Sequence, residues 1–303
     1  MQDLLVIGSL AYDSVTTLSG KTEKALGGAA NYFSIAASLF AQVKVVGIVG
    51  SDYRQIDRDI LLQRKVNIDG IKSVEGLTFH WEGSYEKNLN EAETYKTELN
   101  VFADFKPVVP DAYKQTSHVF LANMDPLSQL QVLSQIEKPI FVGMDTMNYW
   151  IMSKRDELLK VISKVDIVFM NETEAKMLSN EKNLYKALRN ISSLGPKYIV
   201  IKKGEYGSML YSKDDGFFNC PALIVEEVID PTGAGDSFAG GFFGYITKNV
   251  QGTPTWNDLK QAVVTGTVMS SQAIQNFSVK SLVELDLSRF NQLKKDLMQS
   301  MSL

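Results

Sequence analysis

The most informative stretch of the 303-residue sequence is DPTGAGDSFAGG, at residues 230–241. Its small residues Gly233, Ala234 and Gly235 permit a tight turn whose backbone N–H groups point into one space. The apolar run Phe238–Ile246 follows at once, which predicts that this turn lies at the N-terminus of a helix. Free amides and the helix dipole at such a place stabilise an anion, or the negative charge that develops during a reaction.

Asp236, which follows this turn, points to catalysis. A carboxylate beside an anion-binding turn would repel a phosphate that is merely bound, but it can take a proton from an attacking hydroxyl. The turn would then stabilise the charge on a phosphoryl group during its transfer. The alternative is an acid that only stabilises its own helix, as most Asp residues at a helix start do. The neighbouring glycines and the preceding Asp-Pro-Thr favour the catalytic interpretation.

Other motifs do not fit the spacing of these residues. The turn at 233–235 lacks the third glycine of a dinucleotide-binding fingerprint, and the sequence contains no GxxxxGK[ST] phosphate loop. The run Gly235–Ala239 lacks the last glycine of a nucleophile elbow. With two distant histidines and one cysteine, the sequence offers no zinc site.

The composition predicts an ordinary globular protein, with 45% hydrophobic and 22% charged residues. A net charge of −4 argues against binding to nucleic acid or to an anionic membrane, since both require a basic excess. The single cysteine, Cys220, suits a reducing compartment. The first residues lack the basic segment of a signal peptide, and no apolar run is long enough to cross a membrane, so we expect a cytoplasmic protein.

Apolar runs of strand length alternate with segments of helical spacing along the chain. Most of the runs are almost continuously apolar, as in parallel strands that are covered on both faces. This alternation predicts an α/β fold with a doubly wound, mostly parallel sheet flanked by helices. The predicted strands are Leu4–Ile7, Val43–Val49, His118–Ala122, Ile140–Met144, Ile167–Met170 and Tyr198–Ile201. The predicted helices are Ala29–Phe40, Tyr53–Lys65, Ser128–Ile136, Asp156–Ser163, Glu172–Leu178, Leu184–Leu194, Asp236–Lys248, Trp256–Gln275 and Leu287–Met298.

Residues 77–101 break this rhythm. Polar and apolar residues alternate on both sides of Asn88-Leu89-Asn90, which predicts two strands paired at a turn outside the parallel sheet. The pair is either an edge hairpin or a small lid that excludes water during group transfer. We assign residues 1–76 and 106–303 to the α/β domain and residues 77–105 to a β lid insertion. Exposed lid strands can pair with a second copy, so both a homodimer through the lid and a monomer stay open.

The sequence resembles the ribokinase-like (PfkB) family of sugar and nucleoside kinases. Residues 230–236 match the C-terminal signature of that family residue for residue, and further matches follow in the family's order over nearly the whole chain. These are Gly8 to Asp13, the pair Gly27-Gly28, the run Asn171-Glu172-Thr173-Glu174 and the run Lys202–Gly207. The resemblance implies a kinase that uses ATP and magnesium (Mg2+) to phosphorylate a hydroxyl of a small sugar.

The resemblance also implies a role for each matching residue. Asp236 would be the general base, with the amides of Gly233, Ala234 and Gly235 as the anion hole. The residues expected to bind the acceptor are Asp13, Gly27, Gly28 and Asn31. The residues expected at the nucleotide are Asn171, Glu174, Lys203, Gly204, Gly207 and Thr232, of which Asn171 and Glu174 would also organise Mg2+ and its waters.

The residues by themselves allow simpler alternatives for several of these positions. Asp13 could be a turn residue, and Gly27-Gly28 could be only the approach to a helix. Asn171 and Glu174 have the spacing of a capping box. Lys202 and Lys203 are expected to be largely solvated, or lightly directed towards phosphate.

The chain departs from the family's N-terminal signature, GGxxxN, by one residue. Asn31 comes one position early, and Tyr32 stands where the family has asparagine. One position on a helix rotates a side chain by about 100°. Asn31 therefore reaches the acceptor at a shifted angle, or Tyr32 replaces the contact with a ring that could stack on a base.

Two alternatives to a sugar kinase stay open. Phe79, Trp81 and Tyr85 of the predicted lid could join Tyr32 in holding a base, which would make a nucleoside the acceptor. These aromatic residues could equally lie in the core or in a dimer interface. A sugar-binding sensor without catalysis is the second alternative, and an intact Asp236 counts against it.

Overall fold

The computed structural model describes residues 3–301, which form thirteen strands and eleven α-helices. The strands are β1 (Asp3–Ile7), β2 (Ala11–Thr17), β3 (Gly20–Gly27), β4 (Gln42–Val49), β5 (Asn67–Ser73), β6 (Phe79–Ser84), β7 (Glu93–Glu98), β8 (His118–Leu121), β9 (Phe141–Asp145), β10 (Ile167–Asn171), β11 (Tyr198–Lys202), β12 (Ser208–Ser212) and β13 (Gly216–Cys220). The helices are α1 (Ala29–Ala37), α2 (Gln55–Gln63), α3 (Pro126–Leu133), α4 (Asn148–Ser153), α5 (Arg155–Ile162), α6 (Glu172–Ser179), α7 (Leu184–Ser192), α8 (Ala234–Asn249), α9 (Trp256–Ala273), α10 (Lys280–Glu284) and α11 (Leu287–Ser300).

A nine-stranded sheet forms the centre of the molecule, in the order β13-β12-β11-β10-β9-β8-β1-β4-β5. The strands from β11 to β5 run parallel, and β12 and β13 are antiparallel. This confirms the predicted α/β fold with a mostly parallel sheet. The prediction missed β2, β3, β5, β12, β13, α4 and α10, most of which are short or carry too few apolar residues for a strong periodic signal.

Both faces of this sheet are covered, as the continuous apolar runs predict. Leu4 and Val6 of β1 belong to one apolar cluster, whereas Leu5 and Ile7 belong to a second cluster. Successive side chains of a strand point to opposite faces, so each face carries its own core. Within residues 3–301, no helix is both long enough and apolar enough to cross a bilayer.

A second sheet of four strands, in the order β3-β2-β6-β7, is separate from the central one. Its strands β6 and β7 pair in antiparallel fashion, which confirms the predicted strand pair within residues 77–101. Two of its strands, β2 and β3, come from residues 11–27, before the predicted boundary at residue 77. The reason is that β6 pairs in parallel with β2, with Asp13 opposite Trp81, and such long-range pairing leaves no local signal in the sequence.

Candidate active site

Three neighbouring parallel strands end in polar residues at one edge of the central sheet. Strand β9 ends at Asp145, β10 at Asn171 and β11 at Lys202. Asn171 and Lys202 are paired directly across the sheet. The carboxyl ends of parallel strands meet at the same edge, where open α/β sheets bind their ligands. The strand ends therefore form one wall of the candidate site.

The glycine-rich turn lies at the N-terminus of α8, as predicted. Gly233 precedes the helix with φ +74°, a left-handed conformation that favours glycine. Among residues 3–301, no side chain caps this helix by a hydrogen bond. The amide of Ala234 donates to the carbonyl of Pro231 at 3.2 Å. The amides of Gly233 and Gly235 have no such backbone partner in the described chain, so they are the ones available to an anion.

Asp236 lies in the first turn of α8 and is partly exposed. Burial raises the pKa of this carboxyl from 3.8 to about 7, and the charge of Asp145 adds to the effect, while Lys202 opposes it. A carboxylate whose pKa is near 7 is suited to accept a proton at neutral pH.

Lys202 and Asp145 form an ion pair beside the glycine turn. The Nζ of Lys202 lies 2.7 Å from Oδ2 of Asp145, and the two side chains are 20% and 6% exposed. A side-chain carbon at Gly235 would lie only 2.8 Å from the same Nζ. The ammonium is thus packed against the turn. Of the two expectations for Lys202, the solvated side chain is wrong, and the orientation towards phosphate stays a prediction. Sequence reasoning also missed Asp145, although a polar residue directly after a buried strand is a recognisable signal.

Asn171 and Glu174 form the capping box of α6. The side chain of Asn171 accepts from the Glu174 amide at 2.8 Å, and Oε2 of Glu174 accepts from the Asn171 amide at 2.7 Å. The capping box that the spacing predicts is therefore confirmed. Burial raises the pKa of Glu174 to about 7; the charge of Asp145 adds to this and Lys202 opposes it.

The side chains around this capping box fit Mg2+ only if the phosphates of a bound ligand supply further oxygen ligands. Within residues 3–301 there is no group of three or more His, Cys, Asp or Glu side chains arranged to hold a metal ion. Mg2+ commonly keeps several waters and is bound through one or two carboxylates together with substrate phosphates. Oε1 of Glu174 forms no hydrogen bond with the described residues, so one hard oxygen is free for this purpose.

Asp13, Gly27 and Gly28 come together at the other side of the site. Asp13 is 6% exposed, and a side chain at Gly27 would overlap its carboxylate. Gly28 has φ +89°, and a side-chain carbon there would lie 2.7 Å from the backbone of Ser9 and Ala11. Burial raises the pKa of Asp13 to about 7; the Gly28 amide opposes this shift, and Asp230 and Asp236 add to it. The glycines therefore make room for a buried carboxylate.

Asn31 does not face this group. Its side chain is fully buried, donates to the Gly27 carbonyl at 2.6 Å and accepts from the Tyr53 hydroxyl at 3.3 Å. Both ends of the amide are therefore engaged within the protein, which leaves no surface for an acceptor. The one-residue offset explains this, because it turns Asn31 into the interior and brings the ring of Tyr32 against Gly233.

Three of the predicted nucleotide-side residues, Lys203, Gly204 and Gly207, lie in the turn that follows β11, whereas Thr232 precedes α8. Gly204 (φ +55°) is so close to Asn90 that any side chain at position 204 would overlap it. The amide of Lys203 donates to the Gly207 carbonyl at 2.8 Å, and its side chain is partly exposed. Thr232 donates its amide to Asp230 at 2.9 Å. Its hydroxyl is buried without a hydrogen-bond partner among the described residues.

Of the three aromatic residues predicted in the lid, two contact other side chains of the protein and one lies near the candidate site. Phe79 stacks on Phe102 at 5.6 Å, and Trp81 donates to Thr94 at 3.2 Å. Tyr85 lies near the acidic residues of the site: burial raises its pKa to about 12, and the charges of Asp230 and Asp13 contribute. The turn of the hairpin also reaches the opposite wall, where Thr173 donates to Glu91 at 3.3 Å.

Known proteins resemble this chain over most of its length. The sequence pattern of the pfkB family of carbohydrate kinases matches residues 1–285. A cytidine kinase of Thermococcus kodakarensis is 32% identical over 252 residues, which cover 81% of this chain and 89% of that protein. The nucleoside kinase structure of Methanocaldococcus jannaschii, an archaeal member of the ribokinase family, has a TM-score of 0.77 at 21% identity and covers 98% of this chain and 99% of its own. Arabidopsis thaliana ribokinase, solved with ribose and ATP, has a TM-score of 0.77 at 20% identity, with 97% and 99% covered.

Proposed function

Because the chain belongs to the pfkB family of carbohydrate kinases, we propose that it transfers the γ-phosphoryl group of ATP to a hydroxyl of a nucleoside, with Asp236 as general base. The membership confirms the resemblance expected from the sequence, and the chain is a kinase for a small sugar or nucleoside. The observation that carries the proposed mechanism is the carboxyl group of Asp236 in the first turn of α8, beside the backbone amides of Gly233 and Gly235, which lack a backbone partner in the described chain.

The chemical step requires little covalent work from the protein. The acceptor hydroxyl gives its proton to Asp236, and its oxygen forms a bond to the γ-phosphorus. The bond from that phosphorus to the bridging oxygen breaks, and ADP leaves with the electron pair. The amides of Gly233 and Gly235 and the dipole of α8 stabilise the charge on the transferring group. Mg2+ bound beside Asn171 and Glu174 would neutralise charge on the nucleotide phosphates.

The charges around Asp13 favour an uncharged acceptor. Its carboxylate can accept hydrogen bonds from acceptor hydroxyls, and the charges that act on it are the negative ones of Asp230 and Asp236. An acceptor that already carries a phosphate or carboxylate would be repelled here, since like charges in a poorly solvated site are costly. This supports a free sugar or a nucleoside over a sugar phosphate or a sugar acid.

One partly exposed aromatic side chain favours a nucleoside over a free sugar. Tyr85 lies near the acidic residues of the site, whereas the ring of Tyr32 is buried against Gly233. Aromatic faces bind the flat bases of nucleosides by stacking, which a free sugar cannot exploit in the same way. The similarity to a cytidine kinase over 81% of the chain supports the same choice.

We further propose that residues 77–105, together with β2 and β3, act as a lid over both substrates. Tyr85, directly after β6, lies on the acceptor side, while Asn90 and Glu91 contact Gly204 and Thr173 on the nucleotide side. A lid that spans both halves would exclude water and so limit ATP hydrolysis.

Limited proteolysis tests the closure of this lid. Nucleotide and acceptor together should protect Lys87, near the hairpin tip, from cleavage by trypsin. Unchanged cleavage would contradict a closing lid.

An acceptor screen that measures ADP release tests the proposed function. Cytidine, uridine, adenosine, inosine, ribose and fructose are compared with ATP and Mg2+, with Asp236→Asn as the control for contaminating kinases. We expect turnover with at least one nucleoside that exceeds turnover with either sugar. Faster turnover with ribose or fructose would overturn the nucleoside assignment. Tight binding of an acceptor without ADP release would instead indicate a sensor.

A further inference from the structure

The ammonium of Lys202 lies where the two halves of the site meet. The side chain extends from the carboxyl end of β11, on the nucleotide side. It packs against Gly235 in the turn before Asp236, where an added side-chain carbon would lie 2.8 Å from Nζ. In the proposed mechanism the nucleotide binds beside β11, and the acceptor hydroxyl meets Asp236 directly after the turn. A phosphoryl group in transit between them would pass close to this nitrogen.

Lys202 is also the positive charge shared by the carboxylates of the site. It forms a 2.7 Å ion pair with Asp145, and its charge acts on both Glu174 and Asp236. Burial by itself would lower the pKa of Lys202, but the charges of Asp145 and Glu174 outweigh it and raise the pKa. The side chain therefore stays protonated. Three carboxyl groups around one ammonium leave the cluster negative, which is unfavourable for a nucleotide polyanion unless the ammonium faces the nucleotide phosphates.

We propose that Lys202 is a catalytic residue that binds the transferring phosphoryl group, and that Asp145 is the positioning residue that holds its ammonium beside the glycine turn. This inference rests on the proposed kinase mechanism and adds a side-chain cation to the backbone anion hole. The lysine remains protonated throughout: the acceptor proton still goes to Asp236, and ADP still leaves with the electron pair. A fixed cation in a site of low polarity stabilises the charge that develops on the equatorial phosphoryl oxygens.

An exposed lysine of the same sheet provides a control for the loss of one positive charge. Lys213 lies in the turn between β12 and β13, at the opposite end of β11 from Lys202, because the preceding Ser212 pairs with Tyr198. We expect Lys202→Met to lower kcat by at least about 100-fold, the range seen when one transition-state donor is removed. Lys213→Met should stay within about threefold of the wild type, and Lys202→Arg should recover part of the loss.

A double variant separates catalysis from charge balance. Lys202→Met leaves Asp145 buried without its partner, which can destabilise the fold. Lys202→Met combined with Asp145→Asn removes both charges and preserves the local balance. If Lys202 served only to neutralise Asp145, the double variant would recover activity, and the proposal would be overturned. If Lys202 acts on the phosphoryl group, the double variant should melt near the wild-type temperature and remain impaired by about 100-fold.

Nucleotide binding supplies a readout that does not depend on turnover. Titration calorimetry with ADP and with the non-hydrolysable triphosphate AMP-PNP, both with Mg2+, compares nucleotides without and with a γ-phosphoryl group. We expect the double variant to lose about tenfold or more in AMP-PNP affinity and less than about threefold in ADP affinity. Equal losses would contradict a contact with the γ-phosphoryl group. A wild-type protein that releases no ADP with any acceptor would refute the proposed function, while this comparison would still decide the role of Lys202.

Discussion

The ring of Tyr32 lies so close to the backbone of Gly233 that any side chain at position 233 would overlap it. This contact joins α1, which follows the glycine pair beside Asp13, to the turn that begins α8. The acceptor side and the anion-binding turn are therefore held together by one aromatic ring. The contact also explains why position 233 must be glycine for two independent reasons, its left-handed backbone and its neighbour.

Gly233→Ala should destabilise the protein more than Gly252→Ala does. Both glycines have positive φ, +74° and +89°, so both substitutions carry a backbone cost of about 1–2 kcal/mol. Nothing lies within 4 Å of a side-chain carbon at Gly252, whereas one at Gly233 meets the ring of Tyr32. Thermal melts of the two variants measure the difference. Equal melting temperatures would show that the Tyr32 ring moves aside without a loss of stability.

Tyr32→Phe should raise the KM for the acceptor by up to about tenfold while the melting temperature changes little. The ring contact with Gly233 is kept, and only the hydroxyl that lies among Asp230, Asp13 and Asp236 is lost. A single hydrogen bond contributes about 0.5–1.5 kcal/mol, which sets the size of the effect. Steady-state kinetics with the preferred acceptor provide the measurement, and an unchanged KM would exclude a contact through the hydroxyl.

Tyr32→Asn gives the chain the asparagine that the family signature has, yet we expect it to be destabilising. Tyr32 is 2% exposed, and the smaller side chain would leave a cavity beside Gly233. Truncation of a buried aromatic residue commonly costs about 3–5 kcal/mol. Chemical denaturation measures this loss. A variant as stable as the wild type, with improved turnover of ribose, would show that position 32 selects the acceptor without supporting the fold.

Asp236→Asn should lower kcat by at least about 100-fold and leave ADP affinity within about threefold. An amide cannot accept the hydroxyl proton, and removal of a general base costs at least this much. In the wild type, kcat/KM should fall as pH decreases below about 7, because protonated Asp236 is inactive as a base. The residual activity of the variant should lose this dependence on Asp236. A fully active variant would refute the role of this residue.

Asp13→Asn should stabilise the protein at pH 8 while it weakens acceptor binding. Burial raises the pKa of Asp13 from 3.8 in the unfolded chain to about 7 in the folded one, so the folded state binds more protons between these values. The stability that the protonated group contributes is therefore present below about pH 4 and is lost as pH rises through 7. A three-unit shift corresponds to at most about 4 kcal/mol. The variant's advantage in melting temperature should shrink between pH 8 and pH 5, and a constant difference would contradict this origin.

The sequence by itself determined the features that depend on neighbouring residues along the chain. Continuous apolar runs of strand length between helical segments predicted the central sheet, since such runs must be covered on both faces. The turn at 233–235 and the capping box of Asn171 and Glu174 were also readable, because a glycine turn and a helix start are decided within a few residues.

Only the tertiary structure decided which distant groups meet. The ion pair of Lys202 and Asp145 depends on the register of strands β9 to β11, and the membership of β2 in the second sheet depends on its pairing with β6, more than sixty residues later in the chain. The burial of Asn31 and the contact of Tyr32 with Gly233 depend on how α1 is rotated against α8. Each of these outcomes is set by packing between elements, and a sequence records the spacing within an element but not the rotation or register at which two elements dock.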